Sequence, residues 1–125
     1  MDLNKNVEGL EQAYNDGGKP NIRFDITSNK YVGLTDPSDV NLNPRKITSN
    51  LKYVAVLFHE YRHAWQYFSG KYNKWAGKYG YKAVWDIMER DAYWYQIQMG
   101  AGDAYDAYSR YETYRKLTRY VKLPY

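Results

Sequence analysis

The two histidines of the chain stand four residues apart, in His59-Glu60-Tyr61-Arg62-His63. Side chains at that spacing come within reach of a common partner only when the backbone is helical, because in a strand they share a face but stand roughly 13 Å apart, so the pair constrains the fold before anything else does. The flanking residues predict the helix. Thr48, Ser49 and Asn50 are N-cap formers, residues 51–68 carry an apolar periodicity, and Gly70 closes the segment. On a wheel of about 100° per residue, Val54, Leu57, Phe58, Tyr61, Trp65 and Phe68 fall roughly opposite His59 and His63. The imidazoles are therefore expected to point away from the main apolar stripe.

Two imidazoles on one helical face can converge on a single zinc ion, with Glu60 leaning over a water held there to take its proton. A chance H-E-x-x-H in a chain this short is expected at roughly one in a few hundred, which makes coincidence a poor explanation. A catalytic zinc takes three protein ligands. The chain has no cysteine and no third histidine, so the remaining ligand must be a carboxylate. Candidates lie in a second predicted helix over 81–99, ended by Gly100 and Gly102, which contains Asp86, Glu89 and Asp91. Its apolar arc comprises Tyr81, Val84, Trp85, Met88, Ala92, Tyr95 and Met99. Glu89 sits on one edge of that arc, Asp91 on the other, and Asp86 further toward solvent, so Glu89 is the best placed to reach across a packed helix pair.

The rest of the chain predicts an α+β domain spanning residues 1–125, with one hydrophobic core. Val7, Leu10, Ala13 and Tyr14 mark an opening helix over 6–15, stopped by Asp16-Gly17-Gly18-Lys19-Pro20. The period then changes to two. Ile22, Phe24 and Ile26 define one extended piece, a turn at Ser28-Asn29-Lys30 leads to a second over 31–34, and these are expected to pair as a hairpin. Asp36-Pro37-Ser38 breaks the chain before a third short strand, Val40-Asn41-Leu42. Residues 70–80, basic and glycine-punctuated, read as a loop or short irregular helix, with Trp75 on the rim of the site or on a cover for it. A last helix is expected over 103–121.

The H-E-x-x-H helix followed by Glu89-Arg90-Asp91-Ala92, an E-x-x-A pattern 26 residues after His63, resembles the glutamate zincins, or gluzincins. The small size, with three strands before the motif helix and a glutamate helix after it, resembles minimal single-domain members. The continuation His63-Ala64-Trp65-Gln66 and the stretch 89–96 are also similar to metallopeptidase domains at the C-terminal ends of Rhs-type polymorphic toxins. The resemblance covers residues 20–100. It implies a minimal zincin-like fold, a small three-stranded sheet packed on the H-E-x-x-H helix and the glutamate helix, with an additional C-terminal helix. It further implies His59, His63 and Glu89 as zinc ligands, Glu60 as general base and acid, an edge strand near residues 40–42 that aligns an extended peptide, and an immunity or inhibitor protein as partner if the chain is a toxin domain. Many gluzincins carry an aspartate four residues after the ligand glutamate, where this chain has Tyr93. The group that orients the ligand histidines is thus open between Tyr93, Asp86 and Asp91. The oxyanion-stabilising side chain is open among the tyrosines, Arg62 and Arg90.

Zinc-dependent hydrolysis of peptide bonds is the first functional expectation. A non-catalytic zinc-binding module is the second, together with a self-inhibited enzyme whose tail, Lys122-Leu123-Pro124-Tyr125, fills its own cleft. Nucleic-acid binding is disfavoured. Tyr105, Tyr108, Tyr111 and Tyr114 alternate with basic residues, but Asp103, Asp106 and Glu112 interrupt the positive field, and the net charge is only +4. No apolar run approaches a membrane span and the first residues lack a signal-peptide core, so no membrane partner is expected, and secretion would require a larger parent protein or a dedicated export system.

Overall fold

Val40 and Leu42 are inaccessible while the residues between and before them are half-buried, and that alternation decides the sheet. The computed structural model describes residues 3–26 and 31–125. Its elements run α1 (Leu3–Asp16), β1 (Asn21–Phe24), β2 (Gly33–Thr35), β3 (Asp39–Leu42), a 3-10 turn (Pro44–Lys46), α2 (Asn50–Phe68), α3 (Lys71–Tyr79), α4 (Tyr81–Gln98) and α5 (Ala107–Leu117). Among the described residues the architecture is α+β, five α-helices with a small mixed sheet of order β1-β3-β2.

β3, the most buried strand, takes the middle, where both of its edges are paired. β1 joins it in parallel, Ile22 opposite Val40 and Phe24 opposite Leu42, and β2 joins it antiparallel, Leu34 opposite Asn41. This corrects two expectations. The hairpin joins β2 to β3 instead of β1 to β2, and its turn is the Asp36-Pro37-Ser38 segment. There the Asp36 Oδ1 accepts from the Ser38 and Asp39 amides, both at 2.8 Å, as aspartate commonly does in turns. The expected turn at Ser28-Asn29-Lys30 lies outside the described residues. Residues 40–42 are also not an edge strand, whereas β2 is. The side chains of β1 are exposed throughout, Phe24 at 66%, so the Ile22-Phe24-Ile26 face is turned outward.

α2 begins with Ser49 as N-cap, its hydroxyl accepting from the Lys52 amide at 3.2 Å. One apolar cluster gathers Ala13, Val40, Leu42, Ile47, Phe58 and Tyr61, with Leu10 and Tyr14 packed against it; the Val7 side chain lies outside the described residues. A second gathers Trp75, Val84, Ile87, Met88 and Val121. Residues 71–79 therefore form a regular helix whose tryptophan is interior, neither a rim nor a cover. α5 is shorter than expected because Tyr105 and Asp106 adopt left-handed backbone, with φ of 56° and 53°, just before it. None of the helices among the described residues is long and apolar enough to cross a membrane.

Phe58 is fully enclosed, close to Gly9 and edge-on to Tyr95. Phe58→Ala is expected to lower unfolding free energy by about 3–5 kcal/mol, measured by urea denaturation, with little change at the polar face of α2.

Candidate metal centre

The wheel places the histidines away from the apolar stripe, but it cannot say what covers them. In the structure α2 is buried on both faces. His59, Glu60 and His63 are all buried, whereas Phe68, expected in the stripe, is 71% exposed. The covering element is α4, together with β2 across the mouth of a cleft of about 400 Å³.

His59 Nε2 and His63 Nε2 are 3.1 Å apart, and Glu89 Oε1 lies 2.7 Å from His63 Nε2 and 3.5 Å from His59 Nε2. An ion held tetrahedrally by bonds of about 2.0–2.1 Å sets its ligand atoms about 3.3 Å apart, a value the three observed edges bracket. Two imidazole nitrogens and a carboxylate oxygen form a donor set suited to zinc, and the buried His59-Glu60-His63 group can hold a metal ion, its ligand atoms within 4.8 Å of one another. The helix pair thus brings together all four residues singled out from the sequence.

Glu60 is held from the sheet side. Thr35 on β2 donates its hydroxyl to Glu60 Oε2 at 2.9 Å, with the Glu60 main-chain oxygen also in reach at 3.1 Å. Gly33 gives the same carboxylate room, since a Cβ there would sit 2.8 Å from Glu60 Cγ.

The orienting group of His63 is Gln66, whose Oε1 lies 2.8 Å from Nδ1, and behind it stands Asp91. Asp86 takes no part in the cleft lining. Tyr93 meets His59 with its ring, centroids 4.4 Å apart and planes at 59°. His59 Nδ1 is buried with no hydrogen-bond partner among the described residues. Arg62 and Arg90 are both turned from the cleft, the first bound to Asp91 and the second to residues 118–125. The tail does not enter the cleft either. Tyr125 stacks on Trp94 at 3.9 Å, so self-inhibition by residues 122–125 is not the arrangement found. The aromatic track of the last helix is likewise broken up, Tyr105 donating to Lys46 O and Tyr114 stacking on Tyr93.

Sequence reasoning passed over Gln66 and Thr35. Gln66, three residues after His63, shares its helical face, and that spacing was a usable signal. Thr35 carried none, because its partner is 25 residues away.

Burial alone would lower the His63 imidazole, but the adjacent Glu89 carboxylate outweighs it and lifts the group from 6.5 to about 9. Burial would raise Glu89, and the two histidines more than reverse that, holding the carboxyl well below its usual range. Comparison of the chain with protein-family models, curated proteins and solved structures returns no match.

In metal-free protein the His63 contribution to stability is complete below pH 6.5 and lost as the pH rises through about 9. The Glu89 contribution is present above pH 4.5 and lost as the pH falls further. The melting temperature of the metal-free protein is thus expected to decline between pH 6.5 and 9, with Glu89→Gln flattening the decline; parallel profiles for the two proteins would refute the pairing.

Proposed function

We propose that the chain is a zinc-dependent metallopeptidase of the gluzincin type, with His59, His63 and Glu89 as ligands and Glu60 as general base and acid. The observation that carries the reading is the convergence of His59 Nε2, His63 Nε2 and Glu89 Oε1 within 3.5 Å, beside a Glu60 carboxylate tied to β2. When bound, zinc supplies Lewis acidity, drawing the ionisation of a water toward neutral pH and polarising a carbonyl.

The chain's own residues do the rest. Glu60 is a buried carboxylate close to both imidazoles but engaged through Oε2 by Thr35, which leaves Oε1 to accept a proton from the attacking water and return it to the departing amine. A single hydroxyl on one oxygen also fixes the plane of the carboxylate, and a fixed base loses less on reaching the transition state. β2 is an edge strand, and residues 31–35 line the cleft, so an extended peptide can lie along that edge with its carbonyl toward the histidines. The similarity to polymorphic-toxin domains extends the proposal to an effector portion of a larger protein, with an immunity protein covering the cleft as its partner.

The test is zinc stoichiometry by elemental analysis beside hydrolysis of a broad quenched-fluorescent peptide library. The wild-type protein is expected to carry about one zinc per chain. Glu60→Gln should keep the zinc and lose about 10²–10⁴-fold in kcat, whereas His63→Ala should lose both. Zinc retained with no hydrolysis in the wild type would make the chain a non-catalytic zinc-binding module.

Gly33→Ala acts from the sheet side of the site. Its added methyl group would crowd the Glu60 and Val56 side chains, with none of the three proposed ligands among its nearest contacts, so zinc content is expected to be unchanged while kcat falls by about 10²-fold, measured on the best library substrate.

A further inference from the structure

A chain of buried and half-buried polar groups lies behind the candidate metal centre, outside the cleft lining, and reaches Tyr125. Its first link is determined by hydrogen-bond chemistry. Gln66 Nε2 is 3.0 Å from Met88 O and 2.8 Å from Asp91 Oδ2. Both are acceptors, so the amide nitrogen must face them, and Gln66 Oε1 is left to face His63 Nδ1. An acceptor at that position requires Nδ1 to carry a proton, so when the ring gives up one proton it is the one on Nε2, and the lone pair then faces Glu89 and His59.

The next link is Asp91, a fully buried carboxylate. Arg62 grips it with two N–H groups, Nε to Oδ2 at 2.8 Å and Nη2 to Oδ1 at 3.1 Å, while stacking its guanidinium 3.8 Å from the Trp65 ring. The Tyr125 hydroxyl completes the set by donating to Asp91 Oδ1. That phenol keeps its proton because burial, and then the Asp91 charge, raise it far above its ordinary range. Tyr125 reaches this point because residues 118–125 are clamped to α4 by Arg90. Its Nη1 donates to Thr118 O and Val121 O at 3.0 and 3.2 Å, and its Nη2 to Tyr125 O at 2.5 Å.

We propose that Gln66 and Tyr125 are positioning residues of the metal centre: the 118–125 segment delivers the Tyr125 hydroxyl to Asp91, Asp91 orients the Gln66 amide, and Gln66 holds His63 with its proton on Nδ1. The inference rests on the ligand role of His63 proposed above. Loss of the Tyr125 hydroxyl leaves Asp91 Oδ1 to Arg62 alone, which loosens the amide that selects the histidine tautomer.

Two readouts on the full chain test it. The first needs no metal. In protein labelled with 15N-histidine, with His59→Gln used for assignment, the His63 Nδ1–H proton is expected to be protected from solvent exchange in wild type. It should be lost in Gln66→Leu and exchange at least about tenfold faster in Tyr125→Phe, which keeps the stack on Trp94. The second is the zinc Kd by competition with a chromophoric chelator, expected to weaken about 10–100-fold in Gln66→Leu and about three- to tenfold in Tyr125→Phe. Wild-type exchange and wild-type zinc affinity in Tyr125→Phe would overturn the relay, even if Gln66→Leu were impaired. If the wild-type protein binds no zinc while Tyr125→Phe still releases the His63 proton, the relay stands and the metallopeptidase reading falls.

Discussion

Asp91 is the constraint around which the helices are arranged. A carboxylate with no exposure costs several kcal/mol to bury and breaks the structure if left unpartnered. Here Arg62, Gln66 and Tyr125 converge on it from α2 and from the segment after α5. Satisfying those bonds sets the register of α2 against α4, and the same register places Glu89 beside His63. A one-residue slip along this seam would break both sets of contacts together. The convergence of His59, His63 and Glu89 and the ion-pair network around Asp91 are thus two consequences of one helix–helix alignment.

The seam also explains how a polar site sits inside so small a chain. α2 has one apolar cluster on the side of the sheet and α1, while α3, α4 and Val121 build a second one around Trp75 and Met88. Between them runs the polar layer of His59, His63, Gln66, Glu89 and Asp91. Low-dielectric walls strengthen every charge interaction in that layer, and the strong mutual shifts of His63 and Glu89 are the result. The two functional roles are supported from opposite sides. His63 is oriented from α4 through Gln66, whereas Glu60 is tied to β2 through Thr35. A substitution at Thr35 therefore bears on Glu60 and not on Gln66.

What could be read in advance divides along the range of the interactions. Helices α2 and α4 were legible almost to the residue, because caps, stops and a 3.6-residue period are local properties. The pairing of β1, β2 and β3 was not. Which strand takes the centre depends on which can be buried on contact with α2, and Val40 and Leu42 won that position over the equally apolar Ile22 and Phe24. Gln66 was within reach of a wheel argument, since it shares a face with His63. Arg62 and Arg90, by contrast, were candidate oxyanion partners until the fold turned both onto other work.

By itself, the sequence determined that two imidazoles four apart would share one helical face with a glutamate between them, that any third strong donor had to be a carboxylate, and that residues 81–99 would offer it on a helix. Those statements need only the helical period and the absence of cysteine. Tertiary structure decided which carboxylate faces the histidines and which supports them, because Glu89 and Asp91 differ by two positions and so by about 200° of helix. It also decided that Tyr125 sits behind the site instead of inside it. No local rule could have placed it there, because its partners lie 34 and 35 residues earlier in the chain.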